Sequence, residues 1–193
     1  MQGQLNARPY DTQAAARYRR PIDEDFDVLA AIRRDRFTQA LLLSIPDRTD
    51  DIAVQEWIDR RSSEPGGVFL TIADVATNEA LGFAQVANVH RRNRTGYAGM
   101  ALHSAARGRG IGEATWHYLI RFAATTLHLR KLLAEVRSDN EASIRMNLSA
   151  GYRQCGALEK HFMDAEGGAH DVLIFERFLA TDDMTVDGPR AGI

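Results

Sequence analysis

Residues 104–116 read SAARGRGIGEATW, and the six positions from Arg107 to Gly112 hold three glycines and two arginines before a helix-forming run begins. A helix N-terminus exposes unpaired backbone N–H groups and carries about half a positive charge. Glycines let the main chain approach a ligand closely and adopt positive φ. Arg107 and Arg109 add charge, so the stretch reads as an anion site, most simply for a phosphate or pyrophosphate. It is not a Walker loop, because Glu113 and Ala114 follow Gly112 where Lys and a hydroxyl residue are required. A dinucleotide fingerprint starting at Gly108 finds Ala114 near its third glycine, and no parallel β-α-β unit opens before it.

Outward from the loop, the texture predicts a mixed chain. Upstream, VFLTIADV and ALGFAQVANVH, separated by ATNE, read as a hairpin from Val68, and TGYAGMAL at 95–102 as a further strand. Before them lie a short strand leading into an amphipathic helix with Phe26, Leu29, Ala30 and Ile32 on one face, and a second helix from about Asp50 to Arg61 with Ile52, Val54, Trp57 and Ile58 near helical spacing. Downstream, a helix from about Gly110 to His128 carries Ile111, Thr115, Tyr118, Leu119, Phe122, Ala123 and Leu127 as one stripe. KLLAEVRS is a buried strand, DNEASIRMNLSAG a shorter helix stopped by Gly151, and GAHDVLIFERFL the last strand of a closing pair. The expected architecture is one α+β (mixed α/β) domain over 18–180, with a loose lead-in at 1–17 and a flexible tail at 181–193.

Composition narrows the function classes. An apolar fraction of 45% and a charged fraction of 26% are ordinary for a globular protein, and a net charge of −2 disfavours general nucleic-acid binding. The single cysteine, Cys155, leaves no disulfide framework and fits a reducing compartment. No apolar run approaches membrane-spanning length and no signal peptide is visible, so a cytoplasmic location is expected. The six histidines show no metal-ligand spacing, and no metal is expected.

Arg107-x-x-Gly110-x-Gly112, after a strand and at a helix start, resembles the pyrophosphate signature of the GNAT superfamily of acyl-coenzyme A-dependent N-acyltransferases. About thirty residues on, Asn140 opens a helix that ends in Gly151-Tyr152 directly after the strand LLAEV, which looks like the family's second signature. The element order from about 18 to 178 matches as well. Ser143, HRR at 90–92 and the closing strand look most like the RimJ/RimL-type branch of ribosomal-protein N-terminal, polyamine and nucleotide-aminosugar acetyltransferases.

The resemblance implies a GNAT fold: a central, mostly antiparallel twisted sheet with flanking helices, in which the strands at 95–102 and 131–137 splay apart. The pantetheine arm of acetyl-CoA would pair with the strand edge at Met100, Ala101 and Leu102, and the pyrophosphate would lie against Arg107, Gly108, Arg109, Gly110, Ile111 and Gly112. Asn140 and Ser143 would contact the cofactor side, Asn140 also serving as helix N-cap. The family's usual thiolate-protonating Tyr is replaced by Asn147, which cannot donate a proton in that way, so Ser143, a water or the amine itself must serve. For the base, the strand 95–102 has no carboxylate; Glu135, His90 and His103 are the candidates. Arg33, Arg34 and Arg36 would face an anionic acceptor, and His161, His170 and Asp171 flank the closing hairpin on the acceptor side. The implied activity is acetyl transfer from acetyl-CoA to a primary amine by direct attack. The acceptor is first a small-molecule amine or aminosugar nucleotide, next a protein N-terminus, then a polyamine; a homodimer is a further expectation. The competing reading is a GNAT domain of reduced catalysis that senses acyl-CoA or serves as an interaction module.

Overall fold

The computed structural model describes residues 16–179. The tail expected at 181–193, and all of the 1–17 lead-in except Ala16 and Arg17, lie outside them. In chain order the elements are β1 (Arg17–Arg19), α1 (Phe26–Arg34), α2 (Arg36–Leu41), α3 (Asp51–Ser62), β2 (Val68–Ala73), β3 (Ala80–His90), β4 (Thr95–Leu102), α4 (Ile111–Thr125), β5 (Lys131–Arg137), α5 (Glu141–Ser149), β6 (Arg153–Met163) and β7 (Ala169–Phe178). The seven strands form one sheet in the order β1-β2-β3-β4-β5-β7-β6. All neighbours are antiparallel except β4 and β5.

Alternation along the strands sends side chains to two cores. On one face Ile72, Ala84, Val86, Leu132, Ala134, Val136 and Phe175 meet the buried stripe of α4, Ile111, Trp116, Leu119, Ile120 and Ala123. On the other, Phe69, Phe83 and Ala101 pack under α1 and α3 through Leu29, Ala30, Ile32, Val54, Trp57 and Ile58. The ring of Trp57 stands edge-on to Phe69 and Phe83, with centroids 5.3 and 5.4 Å away, a favoured aromatic geometry. Ile52 does not join this core: it is 67% exposed, because at 3.6 residues per turn it sits roughly 200° around the helix from Val54. The short helix α2 is N-capped by Asp35, whose carboxylate accepts from the N–H groups of Phe37 and Thr38.

Helix α5 stops as its sequence predicts. Gly151 takes φ +78°, its N–H bonds to the Leu148 carbonyl, and the Tyr152 N–H bonds to the Asn147 carbonyl, the paired bonds of a Schellman motif. At the other end of the domain Asp25 is 1% exposed. It accepts two bonds from Arg19 at 2.6 and 2.7 Å, one from the Thr71 hydroxyl at 2.7 Å and one from the Ile22 N–H at 3.0 Å. Burial alone raises its pKa, but Arg19, Thr71 and Ile22 outweigh it and hold the carboxyl below the usual range. A depressed folded-state value stabilises the fold above the unfolded pKa, about 3.9, and that stabilisation is lost as pH falls through the lower folded value. Asp25→Asn is therefore expected to lower stability by about 2 kcal/mol at neutral pH and to flatten the acid limb, read from urea midpoints at pH 7 and pH 3.

Candidate active site

The loop between β4 and α4 is shaped by its glycines. Gly108 and Gly110 take φ +75° and +74°, a region that costs an L-residue with a side chain roughly 1–2 kcal/mol. A Cβ at either position would meet nothing within 4 Å. Backbone conformation, not crowding, thus requires glycine, and the surrounding space is open to a ligand. Gly110 is the N-cap of the fifteen-residue α4 and no side chain caps the helix, so its first-turn N–H groups face that space with the helix dipole behind them. The two arginines of the loop sit in different surroundings. Arg107 turns inward: its Nε donates to the Leu102 carbonyl at 3.2 Å and its Nη2 to the Thr38 hydroxyl at 2.9 Å, tying the loop to the end of β4 and to α2. The Thr38 hydroxyl in turn donates to the Asp35 carboxylate at 2.6 Å. Arg109 stays half-exposed, 3.5 Å from Asp74.

Beside the loop the sheet opens. β4 and β5 pair only at Thr95–Lys131, Gly96–Leu132 and Tyr97–Leu133. Beyond Tyr97, β4 remains paired with β3 alone, from Ala98–Val86 to Leu102–Gly82, while β5 follows β7. One edge of residues 98–102 keeps unpaired backbone groups, which must find partners. A cavity of about 490 Å³ occupies the split. On the α4–α5 side it is lined by Met100, Leu102, Gly112, Trp116, Ser143, Met146 and Asn147; on the α1–α3 side by Arg33, Gln39, Ser44, Trp57, Arg61, Gln85 and Asn88, with Tyr97 and Glu135 between. A free strand edge that leads to an uncapped helix N-terminus fits an extended arm ending in a pyrophosphate, the form of coenzyme A.

A sequence profile described as an acetyltransferase (GNAT) domain matches residues 17–153. The chain belongs to the GNAT acetyltransferase family. Compared by sequence with curated proteins, it finds no significant match. Among solved structures it is similar to the spermidine N-acetyltransferase of Vibrio cholerae in complex with CoA and spermine, with a TM-score of 0.78 at 14% identity, covering 86% of this chain and 96% of that one. A chimera of the Vibrio cholerae enzyme gives a TM-score of 0.73 at 15% identity, with 86% and 96% covered. These structures share the fold of this chain, and acetyl-CoA is the cosubstrate of the family.

Within this GNAT domain the expected residues divide. Asn140 caps α5, its Oδ1 accepting from the Ser143 N–H at 3.2 Å, and both residues line the cavity. Asn147 is fully buried; its Nδ2 donates to the Ser143 carbonyl at 2.9 Å and lies 3.4 Å from the Ser143 hydroxyl oxygen. With that oxygen accepting from Asn147, the hydroxyl hydrogen of Ser143 is left to point elsewhere. Glu135 is exposed on β5 and lines the cavity. On the same face, Tyr97 is the last β4 residue paired with β5. Burial first, then the charges of Glu135 and Cys155, push its phenol above the ordinary value, which keeps it protonated through the neutral range. Sequence reasoning missed Tyr97, because nothing in TGYAGMAL marks where the pairing ends.

Of the other catalytic and acceptor-side candidates, only Arg33 lines the cavity. His90 accepts the Asn93 N–H in the β3–β4 turn, and His103 precedes the 3-10 turn after β4; the split opens mid-strand, not at these strand ends. His170 bonds Asp164 through Nε2 at 2.6 Å, and Asp171 accepts the Lys160 N–H at 2.7 Å. Both brace the β6–β7 hairpin, where His161 is exposed, separated from β4 by β5 in the sheet order. Arg34 turns to the Thr49 carbonyl and Asp51, and Arg36 is exposed at the start of α2. Arg33 alone of the three reaches the cavity. Its Nη1 donates to Gln39 Oε1 at 2.7 Å and to the Ser44 hydroxyl at 3.1 Å, and the guanidinium lies 5.2 Å over the ring of Trp57.

Proposed function

We propose that this GNAT protein transfers an acetyl group from acetyl-CoA to a small-molecule primary amine by direct attack. The observation that carries the reading is the parting of β4 from β5 after Tyr97 inside a cavity that joins the α4 loop to the α1–α3 face. The main-chain N–H groups at the start of α4 hold the pyrophosphate, and the free edge of β4 takes the pantetheine arm. A backbone N–H of residues 98–102 stabilises charge developing on the thioester oxygen. Glu135, through water, removes the ammonium proton so that the neutral nitrogen attacks the carbonyl carbon. As the carbon–sulfur bond breaks, the proton that the attacking nitrogen must lose is relayed to the departing thiolate through the hydroxyl of Ser143, held by Asn147, which takes up one proton as it gives one; Tyr97 is a second hydroxyl lining the same cavity.

Thiol release with acetyl-CoA and a panel of aminosugars, amino acids, N-terminal peptides and spermidine tests this function. Turnover with a small amine is expected; binding of acetyl-CoA without turnover on any amine would favour a sensor instead. Cys155 is exposed on β6 and is not part of the cavity lining. Cys155→Ala is accordingly expected to retain most of the activity, because direct transfer needs no thiol nucleophile. A fall of several hundred-fold in kcat with the fold intact would reverse that mechanism.

A further inference from the structure

The acceptor end of the cavity carries two guanidiniums, and among the described residues only one of them has a carboxylate partner. Gln39, 2% exposed, anchors its Nε2 on the Ile32 carbonyl at 2.9 Å and turns Oε1 to Arg33 Nη1. With Ser44 this uses Nη1 and leaves the Nε and Nη2 donors of Arg33 without a bond among the described residues. No carboxylate of the described residues lies within ion-pair distance of Arg33. Arg61 lines the same cavity. Its Nη1 reaches Glu64 Oε2 at 3.2 Å, while its Nε is buried without a partner. Glu64 is shared, its other oxygen accepting the Asn88 N–H. Burial first, then the charges of Arg60 and Arg61, lower the pKa of Arg33, as follows for a guanidinium partly removed from water beside like charges.

A buried amide spent on fixing a guanidinium, and an orphaned guanidinium N–H beside it, form a preorganised pair of donors for an anion. We infer that Arg33 and Arg61 bind a carboxylate or phosphate on the acceptor, so that the acceptor is a zwitterion presenting its amine toward Glu135 and its anion toward α1 and α3. The inference deepens the proposed amine acetylation and rests on it for the position of the amine. A polyamine would bring its charges against two guanidiniums; an amino acid or an amine-bearing phosphate relieves them.

Matched pairs of acceptors test it: an amino acid against its amide, and an aminoalkyl phosphate against the amino alcohol, each assayed by thiol release. In at least one pair the anion is expected to raise kcat/KM by tenfold or more, and which pair it is separates carboxylate from phosphate. Arg33→Met, which keeps the packing over Trp57, and Arg61→Gln are expected to bring that ratio toward one. Tryptophan fluorescence of the wild-type protein, saturated with CoA and titrated with acetate and with inorganic phosphate, supplies a readout that needs no turnover. A saturable change lost in Arg33→Met supports the subsite even if no amine is acetylated, in which case the amine reading alone fails. Turnover without preference for either anion, together with no saturable change, overturns the subsite and leaves amine acetylation standing.

Discussion

Gly110→Val is expected to weaken acetyl-CoA binding by about a hundredfold or more. Two costs combine. A β-branched residue at φ +74° is strained by at least about 1–2 kcal/mol, and relief of that strain turns the first N–H groups of α4 away from the phosphates. Each charge-assisted bond lost in this way is worth about 1.5–3 kcal/mol. Because the Cβ itself would meet no neighbour, the substitution leaves the core intact and the domain should still fold. Calorimetric titration with acetyl-CoA measures the effect, with circular dichroism to check the fold. Unchanged affinity would show that the loop is not the pyrophosphate site. Arg107→Ala is a contrasting case, since its guanidinium is engaged with Leu102 and Thr38; its effect should fall on acceptor KM more than on acetyl-CoA affinity.

The second large effect is expected at Glu135. Positioned acid–base groups contribute typically about 10²–10⁴-fold, so Glu135→Gln should lower kcat by about a hundredfold or more while acetyl-CoA binding persists. The wild-type rate should rise with pH across neutrality as the acceptor amine is deprotonated, and the variant should shift that rise toward the pKa of the free amine. Ser143→Ala and Tyr97→Phe probe the other end of the reaction, where the thiolate is protonated. His90→Ala and His103→Ala should leave the rate close to wild type, since both rings lie outside the cavity lining. Should Glu135→Gln keep the wild-type rate and pH profile, solvent is the base.

The loop and the fold were legible because each has a local cause. Positive φ demands glycine at 108 and 110, the αL stop demands Gly151, and the alternation of 68–102 separates two cores. The strand pair that splays was readable only through the family resemblance, since the register that ends at Tyr97 and Leu133 depends on pairing between segments more than thirty residues apart. The contact of Arg107 was unreadable for a related reason. Its motif position points to phosphate, while its head also meets Thr38, sixty-nine residues away, and no spacing rule connects the two. Arg61 and Tyr97 went unread as site residues because an arginine at a helix end and a tyrosine in a strand are ordinary until the fold brings them to one cavity. The strand-end histidines were attractive by chemistry alone, and the fold places neither in the cavity lining.

Direct transfer is the central claim, and intact-protein mass spectrometry coupled to thiol release tests it most directly. Protein is mixed with acetyl-CoA alone, sampled, and then given the best amine of the panel. The expected result is an unmodified protein mass and no thiol release before the amine is added, followed by free CoA and acetylated amine in equal amounts. An acetyl adduct on the protein before the amine arrives, transferred when it does, would contradict the account.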